Sequence, residues 1–183
     1  MKPGVAPLVG CLLAATALAS GAAGGVLAVG TDLAGTSAIP IVDLQGRRFS
    51  LQERILAPAG EARATLLVFW ATWCQPCLRE IPEVNAIQEF YADRGLQVMG
   101  LGLKEGGDTA DRLAGAAHRF GVKYPVMFDS EGAAQNAFGV SVLPMSVLID
   151  RRGVIRWKGP TLPHDINARI RAALETPEDR GAR

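Results

Sequence analysis

The stretch Phe69-Trp70-Ala71-Thr72-Trp73-Cys74-Gln75-Pro76-Cys77 decides how the 183-residue chain reads. Two cysteines three positions apart follow an apolar run, 66–69, that reads as a buried strand. A helix-periodic segment follows them at once. Residues i and i+3 on the first turn of a helix meet the Cα separation of about 4.4–6.8 Å that a disulfide needs. A helix N-terminus also carries unpaired N–H groups and the positive end of the macrodipole. A thiolate placed there is stabilised, and its pKa falls from about 8.5 towards about 7 or below. Cys74, ahead of the helix, is expected to be the exposed attacking nucleophile. Cys77, one turn in, is expected to be more buried and to resolve the mixed disulfide. Pro76 suits a first turn, where a missing N–H costs nothing. The same spacing also serves structural disulfides and zinc sites. Zinc would want two further Cys or His ligands nearby, and only the scattered Cys11, His118 and His164 remain.

The run Phe-Trp-Ala-Thr-Trp-Cys-Gln-Pro-Cys-Leu-Arg-Glu-Ile-Pro, from Phe69 to Pro82, resembles the TlpA/ResA/CcmG branch of the thioredoxin superfamily. Members of that branch are exported, usually membrane-tethered thiol-disulfide oxidoreductases. The resemblance extends over residues 37–176. It implies an α/β, thioredoxin-like fold: a central mixed β-sheet flanked by helices, with an N-terminal β-hairpin and a central αβ insertion. It implies no cofactor beyond the redox-active disulfide Cys74–Cys77.

The resemblance also assigns site residues. Pro144 stands in Gly139-Val140-Ser141-Val142-Leu143-Pro144, ahead of Ile149-Asp150. From the residues alone it reads as an ordinary trans-proline opening a strand. The resemblance implies a cis bond beside the disulfide, with the backbone of Leu143 left to pair with a client strand. Glu80, three residues after Cys77, reads equally well as a solvated helix glutamate or, by resemblance, as a carboxylate that tunes cysteine acidity. Val68 is apolar where thioredoxin itself carries a buried aspartate, so Glu80 is the remaining candidate base. Trp73 and Pro76 are expected to face the client. Trp70 reads as core and His118 as a surface histidine.

Composition adds boundaries. Apolar residues make up 49% of the chain and the net charge is +1, with both signs scattered. No basic stripe interleaves with aromatics, which excludes a nucleic-acid partner as the working reading. Residues 3–31 carry no charge. They read as a signal peptide, with Ala17-Leu18-Ala19 as its cleavage site, or as a membrane anchor over residues 5–29. Cys11 falls within that segment. The expected organisation is leader 1–30, flexible linker 31–36, domain 37–176 and polar tail 177–183.

Within the domain, strands are expected at 39–44 and 47–51, then at 64–69, 96–103, 124–128, 145–149 and 154–158. Helices are expected at 75–94, 109–120, 131–138 and 167–174, with Asp108 as an N-cap. Ile81, Val84, Ile87, Phe90 and Tyr91 are expected to form the buried stripe of the active-site helix, with Pro82 kinking it.

The function that follows is an exported reductase of protein disulfides, in a periplasmic or other extracytoplasmic compartment. Apocytochrome c is among the clients the resemblance implies. A membrane thiol donor of the CcdA or DsbD type would re-reduce it. The alternatives are a disulfide oxidase or isomerase, a peroxidase, and a non-catalytic metal-binding module of the same fold.

Overall fold

Strand β3, Ala64–Trp70, is buried along its whole length. That follows from its neighbours. On one side β4, Leu96–Leu103, runs parallel to it, in register from Ala64↔Leu96 to Trp70↔Gly102. On the other β6, Met145–Asp150, runs antiparallel, from Ala64↔Asp150 to Phe69↔Met145. A strand paired on both edges and covered on both faces has no polar side to present, hence its continuous apolar run. The structure, a computed structural model, describes residues 25–56 and 62–177.

Four further strands complete the sheet: β1 Pro40–Asp43, β2 Arg48–Ser50, β5 Val126–Asp129 and β7 Ile155–Gly159. The order is β2-β1-β5-β4-β3-β6-β7. Only the β3–β4 and β4–β5 pairs are parallel. The alternation of side chains along β3 sorts them onto two faces. Leu67 and Phe69 meet helix α1 (Leu51–Leu56), helix α4 (Ala133–Ala137) and Phe138. Leu66 and Val68 meet helix α2 (Gln75–Tyr91) and helix α5 (Ile166–Leu174). Helix α3, Ala110–Arg119, joins this second face through Leu113. It can approach so closely because β4 carries glycine there: a Cβ on Gly102 would lie 2.4 Å from Leu113. The expected mixed sheet, N-terminal hairpin and α3–β5–α4 insertion are all present.

Some expectations need correction. Residues 31–36 are not a free linker. The Gly30 N–H donates to Ile155, the Ile155 N–H donates to Thr31, and Asp32 bridges Val154. Leu33 is fully buried in a 3-10 turn, Leu33–Gly35. The outer edge of β7 has unpaired backbone groups, and this segment covers part of it. The apolar leader does not run free to Val29 either: Leu27 lies in the core and its N–H donates to Ala137. Phe90 is exposed, whereas Tyr91 is buried. A three-residue spacing falls about 60° behind the helix at each step, so it cannot hold one face for long. Helix α2 runs unbroken through Pro82 and a 3-10 turn, Ala92–Arg94, then closes it at Gly95.

The proposed cleavage site, Cys11 and all but the first residue of the expected tail lie outside the described residues. Among the described residues no helix is long and apolar enough to cross a membrane.

The docked N-terminal segment has a measurable consequence. Leu33→Ala is expected to lower unfolding free energy by roughly 2–4 kcal/mol, as for other fully buried leucines. Urea denaturation of the full chain measures it. A loss below about 0.5 kcal/mol would mean that the segment contributes little to the domain.

Candidate active site

Cys74 is the N-cap of α2, with φ −78° and ψ 91°, and its sulfur accepts the Cys77 N–H at 3.2 Å. The two cysteines form a disulfide with Cα atoms 5.3 Å apart. The sulfur therefore sits where the orphan donors and the dipole of the helix converge, the environment that favours a thiolate on reduction. Pro76 occupies the first turn of α2 without removing a needed donor.

Cys74 is not the exposed member of the pair in this oxidised state. Cys74 is 3% exposed and Cys77 4%. The disulfide turns both sulfurs into a cluster with Trp70, Ala71, Leu78 and Leu143. What solvent meets instead is Trp73, 48% exposed, together with Gln75 and Pro76.

The Leu143–Pro144 bond is cis, and Pro144 is buried at the start of β6. Leu143 packs against the cluster holding both cysteines. The structure thus brings Trp73, Cys74, Pro76, Cys77 and the Leu143–Pro144 turn to one end of the sheet.

Glu80 lies one turn beyond Cys77, half-buried. Its Oε1 accepts the Leu162 N–H at 3.0 Å, while Oε2 is buried with no hydrogen-bond partner among the described residues. Burial raises its pKa above the usual glutamate range; the Leu162 N–H opposes this and the Glu83 carboxylate adds to it. The same face holds Tyr124, whose phenol is pushed above its usual range by burial and then by the Glu80 charge. Trp70 is buried, and its indole N–H is likewise without a partner among the described residues. Val68 is buried and His118 exposed.

Asp108 has a different place from the one expected. Thr109 caps α3, accepting the Arg112 N–H. Asp108, 3% exposed, instead accepts the Thr72 N–H at 2.7 Å and the Thr72 hydroxyl. It clamps the loop that carries the cysteines. Nearby, the Trp73 indole donates to the Glu105 carbonyl at 2.8 Å. Gly106 passes beneath that ring at φ +70°, and a Cβ there would lie 2.4 Å from the indole nitrogen. The Gln135 amide on α4 in turn donates to the Glu105 carboxylate. Adjacent glycines after a strand, Gly106-Gly107, were the one sequence signal of this support.

A family model described as Redoxin matches residues 40–167. The chain belongs to the Redoxin family. Within it, the chain is similar to thiol-disulfide oxidoreductase ResA of Geobacillus thermodenitrificans, 32% identical over 114 residues, which are 62% of this chain and 60% of that protein. The chain therefore spans about three fifths of the length of that curated relative. A crystal structure from Chlorobium tepidum, described as a thiol:disulfide interchange protein DsbE, matches with TM-score 0.65 at 27% identity, over 81% of this chain and 99% of that one. A solution structure from Neisseria meningitidis, described as a thioredoxin, matches with TM-score 0.65 at 25% identity, over 79% and 93% of the two chains. This Redoxin domain has the thioredoxin-like fold that the sequence implied. Among its described residues no group of three or more His, Cys, Asp or Glu is placed to hold a metal ion.

Two measurements probe the surroundings of the disulfide. Asp108→Ala leaves the Thr72 N–H and hydroxyl without their acceptor. It is expected to cost about 1–3 kcal/mol and to change Trp73 fluorescence; unchanged stability and emission would mean that Asp108 does not hold the loop. Glu80 sets a pH dependence. Its folded pKa is raised, so between the usual glutamate range and the raised value the folded state holds more protons than the unfolded one. Stability is therefore expected to fall as pH rises through that window. Glu80→Gln, which keeps an acceptor for Leu162, should remove that component and raise stability at neutral pH. Denaturation midpoints that track pH identically in both proteins would refute the assignment.

Proposed function

We propose that this Redoxin chain is an extracytoplasmic thiol-disulfide oxidoreductase that acts as a reductase of disulfides in exported proteins. The observation that carries the reading is the Cys74–Cys77 disulfide at the N-terminus of α2, with the Cys74 sulfur accepting a helix N–H. Similarity to ResA and DsbE supports the chemistry. The uncharged stretch 3–31 supports export.

In the forward direction the reduced Cys74 thiolate attacks one sulfur of a client disulfide. A mixed disulfide forms and the other client sulfur leaves as a thiolate, which takes up a proton. Cys77 then loses its proton and attacks the Cys74 sulfur. The Cys74–Cys77 bond forms, the second client thiolate departs, and two electrons have passed to the client. Glu80 is the titratable group one turn beyond Cys77 and the candidate to accept the Cys77 proton. Trp73 and Pro76 offer the exposed contact face, and Leu143 ahead of cis-Pro144 offers backbone groups to a client strand. A membrane dithiol donor of the CcdA or DsbD type would restore the reduced pair. Apocytochrome c is the client class proposed first, because its haem-binding cysteines must be reduced before attachment.

The reduction potential of the full chain decides the direction. A value of about −250 mV or lower is expected for a reductase; a value near −120 mV would make the chain an oxidant. Cys77→Ser should accumulate the client mixed disulfide on non-reducing gels, and Cys74→Ser should form none. Equal trapping by both variants would overturn the assigned order of attack.

A further inference from the structure

A groove of about 800 Å³ opens beside the loop that carries Cys74, between the first turn of α2 and the exposed face of α3. Trp73 and Gln75 line it on the α2 side, and Arg112, Gly115, Arg119 and Phe120 line it on the α3 side. No carboxylate is among its lining residues. This is a local imbalance in a chain whose charges otherwise nearly cancel. Neither arginine is in an ion pair among the described residues. Arg112 donates one N–H to the Gly107 carbonyl at 3.1 Å and keeps its other donors. The Arg119 guanidinium sits 5.6 Å from the Phe120 ring centroid. The space over Gly115, between the two arginines on the helix, is open: a Cβ there would meet nothing within 4 Å.

We propose that this groove receives an acidic segment of the client polypeptide flanking its reacting disulfide. The inference rests on the exchange reading above and adds what selects the client. Arg112 and Arg119 are seven residues apart, so they share one helix face and stand about 10 Å apart along its axis. A client segment in the polyproline II conformation rises about 3.1 Å per residue and completes a turn in about three residues, so its positions i and i+3 share one face about 9 Å apart. Two carboxylates three positions apart, on a segment leaving the Cys74 sulfur across Trp73, therefore meet both guanidinium groups. Trp73 and Phe120 accommodate the apolar side chains between them. The charges are exposed, so each pair contributes modestly and is screened by salt. The groove thus sorts clients that the disulfide chemistry alone would treat alike.

Three disulfide-bonded peptides differing only in one flank test this: Asp-Ala-Ala-Asp, Asn-Ala-Ala-Asn and Lys-Ala-Ala-Lys. Each is offered to the reduced full-length protein and kcat/KM is measured at low and high salt. The acidic peptide is expected to be favoured over the neutral one by about fivefold at low salt, with the preference fading at about 0.5 M salt. Arg112→Gln with Arg119→Gln should bring the ratio to about one, and Arg112→Glu with Arg119→Glu should favour the lysine peptide. Because Arg112 also braces Gly107, Arg119→Glu alone must still lower the acidic preference. Equal rates for the acidic and lysine peptides, or a preference that survives the arginine changes, would overturn the proposal while leaving the exchange reading intact. Absence of exchange with all three peptides would overturn both.

Discussion

A backbone N–H aimed at a sulfur is the interaction on which the site depends. Cys74 caps α2, and the Cys77 amide reaches its Sγ. That contact exists because β3 ends where it does. The strand is buried on both faces and locked between β4 and β6, so its direction is set before the chain leaves the sheet. The helix that follows is held by Ile81, Val84, Ile87 and Tyr91 against the same sheet. With strand and helix both fixed, the short turn between them has little freedom. The cysteines inherit a geometry from two packed elements rather than from their own loop.

The turn is also held from the side. Asp108 accepts both donors of Thr72, and Glu105 receives the indole N–H of Trp73. The acceptors for these donors come from the chain after β4. Gln135 ties that chain onward to α4, so the inserted α3–β5–α4 segment braces the cysteine loop. It also supplies the far side of the groove beside Trp73. One insertion thus both steadies the reacting group and shapes the surface next to it.

Behind the disulfide the sheet offers little polarity. Val68 is apolar, and Trp70 and Tyr124 are buried on that face, Tyr124 near enough to feel the Glu80 charge. In such a setting a carboxylate is costly to ionise, which is why Glu80 titrates above its usual range.

Much of this was legible in the residues. The apolar run of β3, the two-cysteine spacing and the helix after it lie within a few positions of each other, where strand and helix periodicities act locally. The mixed, helix-flanked sheet around them was implied by the family resemblance, whereas its strand order is set by the tertiary pairing. The cis state of the Leu143–Pro144 bond came only through the family resemblance, because a proline ahead of a strand looks the same in either state. Other features were set by contacts between distant segments. Leu27 and Leu33 looked like leader and linker, yet a core lay within reach of both side chains, and Gly30 and Thr31 between them pair with Ile155 on the open edge of β7. Asp108 looked like a cap, but Thr109 took that role, and Thr72, brought near only by the parallel pairing of β3 with β4, claimed the carboxylate. Cys74 looked exposed because it precedes a helix, yet it is buried in a cluster with Trp70, Ala71 and Leu78, against which Leu143 packs from the far side of β3. Local periodicity determined which elements form and where the sulfur chemistry sits. Only the tertiary structure decided what each polar group pairs with, because those partners lie tens of residues away in the chain.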